Sequence, residues 1–512
     1  MACKMDVIEL GAATTTPAQI VAIAQGSKVT ADPQAVAAVA ATYSLIETII
    51  DRKHPVYGLT TGVGDLQSEL LRPDQVELAQ MRLLRSHASG VGQPHDALVV
   101  RAIMACQIRS LLIGVSGVSP AVVDTLIRML NHGVTPWAPS GGSVGYLIAT
   151  AHIGLVVYGH GRAWYRDELL DGADAMARAG ITPPAIGPRG GLALMSGTYE
   201  ITAIGALALE RTKALIDLAD IAGLMALEAT RGNIRSFDPR VHALRPHPGQ
   251  TATAARLTAL AQNSEIFAAF RDYRLQDALS LRCIPQVHGA VRDTLAHVDR
   301  VLTIEINAIT DNPALVMEGD ELVALPGGNG HGAPVAAVMD YLAIAISTAS
   351  SMSQARSERL TSAHLSGLPA FLATGTAADT GLMIPPYVAA ALAAENRALA
   401  MPMSVHSVPT CAGQEDHVSM GTGAAVQARQ AADNLTDILA IELYCAVRAL
   451  SFHAPLFPAV GTGAIFDLIT ALIPPASPNR EVHQDLALIR EAIVTGRLKD
   501  AVDRVMGGVA SA

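Results

Sequence analysis

Four stretches of this chain, Gly205 to Thr230, Pro334 to Leu360, Val388 to Leu399 and Val418 to Leu450, are built almost entirely from small and aliphatic side chains. In the first of them Leu215, Leu218, Ala222 and Met225 recur at three- and four-residue steps on one helical face, and Arg231-Gly232 follows as a stop. Each stretch is apolar on more than one side, as expected of helices packed inside a bundle rather than lying on a surface. With aromatic residues at only 4%, the core has to be made of Ala, Leu, Val and Ile, a mixture that favours helix. Only Ala314 to Leu325 reads as strand.

The fold class expected is therefore all-α: a long central helix bundle joined to a loop-rich amino-terminal region. The expected divisions are residues 1–205 for the active-site loops and helices, 206–452 for the long-helix bundle and 453–512 for a small carboxy-terminal helical segment, all one continuous structural unit. Pro474 to Asn479 reads as a surface connection before that last segment. A chain of 512 residues reaches a large core easily, and 16% charged residues excludes a solvated, tail-like protein. A net charge of −10 disfavours nucleic acid and anionic membrane as partners.

Cys3, Cys106, Cys283, Cys411 and Cys445 are too scattered for a metal cluster and too few for a disulfide framework. The opening MACKMDVIEL lacks the apolar run of a signal peptide, and Arg101 and Arg109 interrupt the apolar stretch from Ala97 to Gly114. A cytoplasmic, reduced protein that spans no membrane is expected.

Between the aliphatic stretches lie loops dense in chemistry: Tyr57-Gly-Leu-Thr-Thr-Gly, Ser86-His87-Ala-Ser-Gly, Pro139 to Gly145, Gly327-Gly-Asn-Gly-His-Gly and Gln414-Glu-Asp-His. Helices that hold polar, glycine-containing loops suggest one site assembled from distant segments.

In this order the loops resemble the histidine, phenylalanine and tyrosine ammonia-lyase family, nearest to its histidine branch. The resemblance runs over nearly the whole chain: YGLTTGVGDL from Tyr57, LLRSHASGVGQP from Leu83, GSVG from Gly142, FDPRVHALRPHPGQ from Phe237, LQDALSLRCIPQVHG from Leu275, EINAITDNPAL from Glu305, GGNGHG from Gly327 and TCAGQEDHVSMG from Thr410. It implies a mostly helical protomer, a homotetramer with active sites shared between subunits, and a small-molecule amino acid or unsaturated acid as ligand. It also implies 4-methylideneimidazole-5-one (MIO), the electrophile that family members cyclise from an internal Ala-Ser-Gly.

Here the pattern departs from the family. Gly142-Ser-Val-Gly145 runs directly into Tyr146-Leu-Ile-Ala-Thr-Ala-His152, and register holds on both sides only if the Ala-Ser-Gly is missing. Either the protein lacks it, or the cyclised group, one non-standard residue, escaped the sequence as read. Three neighbours of the electrophile differ as well: the family's Asn is Ser196, its Tyr is Leu279 and its Phe is Gly330. Losing these together with the triad points to a real absence, so no cofactor is expected, and MIO only if the triad was omitted after Gly145. Pro139-Ser140-Gly141 has the wrong spacing for a displaced triad and reads as a turn.

The resemblance assigns roles to the groups that remain. Tyr57 matches the base that takes the β-proton, although a phenol with a pKa of about 10 needs help to ionise; its other reading is a packed Tyr with a satisfied hydroxyl. Arg282 matches the carboxylate clamp, which suits the guanidinium fork, with an ion pair to Asp277 or Asp311 as the alternative. His87 matches a ring-facing polar group, or is structural. Glu415 matches a group near the substrate amine or ring, while part of the acidic run with Gln414 and Asp416 would cap the helix from Val418. Gln276 and Asn312 match polar pocket positions, Asn312 also suiting a turn before Pro313. His288 and His331 have weaker claims, and no metal-ligand spacing is present.

Tyr57, Arg282, His87 and Glu415 form a set able to bind an amino-acid-like carboxylate and move a proton beside it. The function expected is a lyase acting by acid–base elimination, addition or cyclisation without MIO. General acid–base help is worth only ~10²–10⁴-fold, so the substrate should carry a better leaving group or a more acidic proton than histidine. The alternatives are a conventional MIO-dependent ammonia-lyase and a non-catalytic amino-acid-binding homologue.

Overall fold

Small aliphatic side chains let helices run long and approach closely, and long helices dominate the chain. The computed structural model describes residues 7–51, 55–375, 378–473 and 481–509, so Cys3 and the Pro474–Asn479 connection lie outside the described residues. The four longest helices are α1 (Tyr199–Ala229), α2 (Ile284–Ile306), α3 (Ala333–Thr361) and α4 (Gly421–Leu450). Three of them fall on the aliphatic stretches. A further such stretch forms the helix Pro385–Leu399, which opens on two prolines, where the missing N–H costs nothing. α2 has a different character: Val291, Leu295, Val298, Leu302 and Ile306 make one buried stripe between charged residues.

α4 starts three residues later than the apolar pattern suggests. Met420 has φ of 54°, outside helical space, and the Gly421 N–H donates to Ser419 Oγ at 3.2 Å. A serine therefore serves the helix start, and the acidic residues at 415 and 416 do not cap it.

The residues gather into two compact units. The first comprises Met1–Glu210, Val298–Asp340 and Pro402–Val426; the second comprises Arg211–His297, Tyr341–Met401 and Gln427–Ala512. In the first, the expected hairpin is present, Ala314–Glu318 pairing antiparallel with Glu321–Leu325, Val316 opposite Val323. Shorter strands join it: Val7–Leu10 parallel to Lys28–Ala31, Val91–Pro94 antiparallel to Pro139–Gly141, and an antiparallel trio of Thr135–Pro136, Arg162–Tyr165 and Glu168–Asp171. The Ala97–Leu111 helix accommodates Arg101 because its guanidinium donates to Ala24 O (2.9 Å), Ile23 O (2.9 Å) and Leu130 O (3.0 Å), carbonyls at two other helix ends.

The second unit is packed around buried charge as well as aliphatic side chains. Glu228, fully buried, accepts from Ser264 Oγ, Thr462 Oγ1 and Ala459 N, and Arg356 forks onto Glu442 with both side chains at 0% exposure. The carboxy-terminal helices are Val460–Leu472, Val482–Val494 and Arg497–Val509. Among the described residues three helical stretches are long and apolar enough by length and composition to cross a membrane: Pro33–Asp51, Leu192–Ala229 and Ala333–Thr361. The latter two turn most of that surface inward, being 94% and 67% buried, while the first is 22% buried.

Candidate active site

A cavity of about 650 Å³ opens in the first unit, walled by loops far apart in sequence. It gathers Tyr57, His87, Tyr146, Ser196, Asn312, Gly330, Gln414 and Glu415. Gln276, Leu279 and Arg282 belong to the second unit and are not among its lining residues. Gln276 and Leu279 are exposed there, Leu279 by 62%. Arg282 ends the short Leu279–Arg282 helix. Its Nε is buried without a partner, and among the described residues it forms no ion pair with Asp277 or Asp311. The partner of Asp311 is Arg189 (2.8 Å), both side chains at 0% exposure.

Tyr57 sits where glycines let the chain fold back on the ring. The N–H of Gly64, at φ 60°, donates to the phenol oxygen at 3.0 Å. A Cβ at Gly64 would meet Cys411 Sγ at 2.5 Å, so only glycine fits. Burial pushes the Tyr57 phenol above its ordinary value of 10.0; the Gly64 N–H opposes this, and the Glu415 charge adds to it. Among the described residues no Lys or Arg lines the cavity, so that lining offers phenolate no neighbouring ammonium or guanidinium.

Tyr146 supplies the second phenol. Burial first, then the Glu415 carboxylate beside it, raise the pKa of its hydroxyl far beyond the usual phenol range. The turn before it is held from behind. A Cβ on Gly145 (φ 141°) would lie 2.2 Å from Ser419 Oγ, and Gly145 N–H donates to Ser143 Oγ at 3.2 Å. Ser143 meets Thr422 Oγ1 at 2.8 Å, Thr422 donates to Glu200 at 3.3 Å, and Glu200 bonds His95 at 2.9 Å. The last two side chains are almost fully buried, at 2% and 4% exposure.

His87 ends the Val76–His87 helix, its Nδ1 at 2.9 Å from Leu83 O. Asn312 does turn work, its Oδ1 accepting the Gly327 N–H at 2.9 Å, while still lining the cavity. Gln414 Oε1 accepts from Gln67 Nε2 at 2.9 Å. At Gly330 a Cβ would meet a single atom, Thr310 O, in a tight contact at 3.3 Å. His331 also lines the cavity, paired with His417 at 3.0 Å. Sequence reading gave His417 no separate role, because its partner lies 86 residues away. His288 is buried in the second unit against Asp220 (2.7 Å), a structural position. Among the described residues no three His, Cys, Asp or Glu side chains form a metal-holding group.

Pro139–Gly141 is strand, not the turn expected, and so lacks the compression that cyclisation requires. The chain spells Ala-Ser-Gly once, at Ala88-Ser89-Gly90, beyond the helix that His87 ends. Its tight turn centres on Ala88 (φ −75°, ψ 60°), with the Ser89 N–H on His87 O at 2.8 Å. Cyclisation needs the turn one residue later, at the serine.

Two phenols and a carboxylate in a loop-built cavity are groups that can hold and move protons, and the relatives make the protein a carbon–nitrogen lyase. The aromatic amino acid lyase family model matches residues 15–471, and the chain belongs to that family. It is 42% identical over 507 residues to histidine ammonia-lyase of Symbiobacterium thermophilum, covering 98% of this chain and 99% of that protein. The crystal structure of tyrosine aminomutase from Streptomyces globisporus superposes with a TM-score of 0.93 at 32% identity, over 97% of this chain and 98% of that one. The ergothioneine-degrading ergothionase of Treponema denticola, solved with desmethyl-ergothioneine sulfonic acid, gives 0.90 at 26% identity, over 96% and 99%. Members of this family normally depend on MIO.

Proposed function

We propose that this protein eliminates an amine from an amino-acid-derived carboxylate, or adds it in reverse, by acid–base chemistry without MIO. The observation that carries the reading is Tyr146. It follows Gly145 directly in the sequence, where the resemblance would place Ala-Ser-Gly, and it lines the cavity together with Glu415. The residues at that junction do not fit the cyclised group, so no step is routed through it.

Without an electrophile the leaving group has to depart unaided. A primary ammonium would surrender an N–H proton to a phenolate base before any C–H did. A quaternary ammonium has no such proton and keeps its charge. The cavity suits a cation, with two phenol rings, Glu415 and Asp416, and no Lys or Arg among its described lining residues. The favoured substrate is thus an α-trialkylammonium acid, and the ergothioneine-degrading relative supports that class, ergothioneine being a trimethylammonium betaine. Tyr57 phenolate removes the β-proton, the C–H pair becomes the new C=C bond, and the C–N pair leaves with a neutral tertiary amine. The cation also lowers the cost of ionising Tyr57. Glu415 faces the ammonium, and Tyr146, held protonated, stays a donor.

We further propose a homotetramer in which Gln276, Leu279 and Arg282 of a second copy complete the cavity, Arg282 receiving the carboxylate. Exposure of Leu275 (97%) and Leu279 around Gln276 supports a covered surface there.

The test is to offer histidine and its trimethylammonium betaine to the purified protein and measure ammonia and trimethylamine, alongside the intact mass. Trimethylamine release by a protein with the mass of the unmodified chain is expected. A cyclised ring at residues 145–146, with borohydride sensitivity and ammonia from histidine, would overturn the reading. That outcome would establish a conventional histidine ammonia-lyase, the second reading, which the 42% identity favours.

A further inference from the structure

The chain bends sharply where it leaves the cavity wall beside Tyr146. The Ile148 N–H donates to Tyr146 O at 3.1 Å, closing a three-residue turn with Leu147 at its centre. Leu147 has φ 78° and ψ −47°, near the rare and strained form of that turn. A Cβ makes such a backbone costly, and it persists only where the surroundings fix both ends. Both ends are fixed here. Before the turn, the Gly145 N–H donates to Ser143 Oγ at 3.2 Å, Ser143 reaches Glu200 through Thr422, and Ser419 Oγ donates to Val144 O at 3.4 Å. After it, Leu147 O accepts from Ala151 N at 3.0 Å and from Thr150 Oγ1 at 2.9 Å, in the first turn of the Ile148–Val157 helix. Two residues, Tyr146 and Leu147, must bridge from the held glycine to the held helix, and both line the cavity. The Leu147 side chain is only half-buried, so glycine there would forfeit little packing and would free the backbone.

We infer that the strained turn at Leu147 sets the place of the Tyr146 phenol in the cavity, so that Leu147 is a positioning residue acting through its backbone rather than its side chain. With both ends fixed and a Cβ at 147, few backbone paths join them, and Tyr146 is left with one orientation. Glycine reaches positive and negative φ about equally well, so the same two residues could span the gap in several ways and the phenol would wander. The inference rests on the proposed function for the part Tyr146 plays, a protonated donor beside Glu415, and extends it to the residue that aims it.

The experiment compares Leu147→Ala with Leu147→Gly in the full-length protein. Both lose the leucine side chain and only Ala keeps a Cβ, so the pair isolates the backbone. Glycine at a positive φ is unstrained, and Leu147→Gly is expected to melt ~1–3 °C above Leu147→Ala. Its kcat/KM should nonetheless fall ~10-fold or more below that of Leu147→Ala, because a group displaced by about 1 Å can cost ~10²-fold. In a Tyr146→Phe background, where Tyr57 still takes the proton, the two should agree within ~2-fold. Equal kcat/KM for Ala and Gly, a Gly variant less stable than Ala, or a difference that survives Tyr146→Phe would each overturn the inference. The rate is read on whichever amine wild type releases from histidine or its trimethylammonium betaine. Ammonia in place of trimethylamine would overturn the proposed function and still decide the inference, whereas release of neither amine would bring down both.

Discussion

Arg189 and Asp311 offer the sharpest test of how the cavity wall is supported. Both side chains are at 0% exposure and meet at 2.8 Å; Arg189 Nε donates to Ser116 O at 3.2 Å. Asp311 Oδ1 accepts the Asn312 N–H at 2.7 Å, and Asn312 holds Gly327 in the wall. Asp311→Asn leaves a buried guanidinium without its counter-charge, which should cost about 3–5 kcal/mol, a large share of the ~5–15 kcal/mol that holds a typical domain together. Arg189→Met instead strands a carboxylate whose pKa burial already raises. Without the cation that pKa rises further above the unfolded value. The folded state then binds the proton more tightly, so the defect should be largest at neutral pH and shrink as pH falls. Arg189→Met/Asp311→Leu removes both charges and should recover part of the loss. Urea unfolding followed by circular dichroism at pH 5 and pH 8 reads all three. A cost below about 1 kcal/mol for Asp311→Asn, or a double variant at the sum of the singles, would refute the reasoning.

Other outcomes follow from the site. Because the Tyr57 phenol is raised in the free protein, kcat/KM should climb with pH through 7 to 10; Tyr57→Phe should abolish both activity and slope, seen in a pH–rate profile. Glu415→Gln removes a charge that raises Tyr57, so residual activity should rise at lower pH; an unmoved limb would detach the two groups. Gly145→Ala forces a Cβ to 2.2 Å from Ser419 Oγ at a φ of 141°, and should lower the melting temperature while Gly328→Ala, in open space, should not. Arg282→Ala should weaken cinnamate binding at least tenfold by calorimetry, and unchanged affinity would remove Arg282 from the site.

The sequence displayed the fold where one residue type repeats. Alanine-rich stretches announced α1, α3 and α4, and the alternation around Val316 announced the hairpin. α2 was passed over because its stripe from Val291 to Ile306 is diluted by charges, and the remaining strands because two to four residues carry too little pattern. Of the site, Tyr57, His87, Ser196, Asn312, Gln414 and Glu415 were legible from motifs. The meeting of Tyr146 and Glu415 in one cavity and the His331–His417 pair were not, since each joins segments that only the folded chain brings together. The expected cap at 415–416 failed for a local reason, the positive φ of Met420.

The chain from His95 through Glu200 and Thr422 to Ser143 has a consequence for how such an enzyme changes its trade. The mould around residues 142–145 is fastened to buried polar groups on its far side rather than to whatever comes next in the chain. What that mould displays is therefore set apart from its anchorage, so the residue that follows Gly145 can be changed while the surrounding architecture stays as it was.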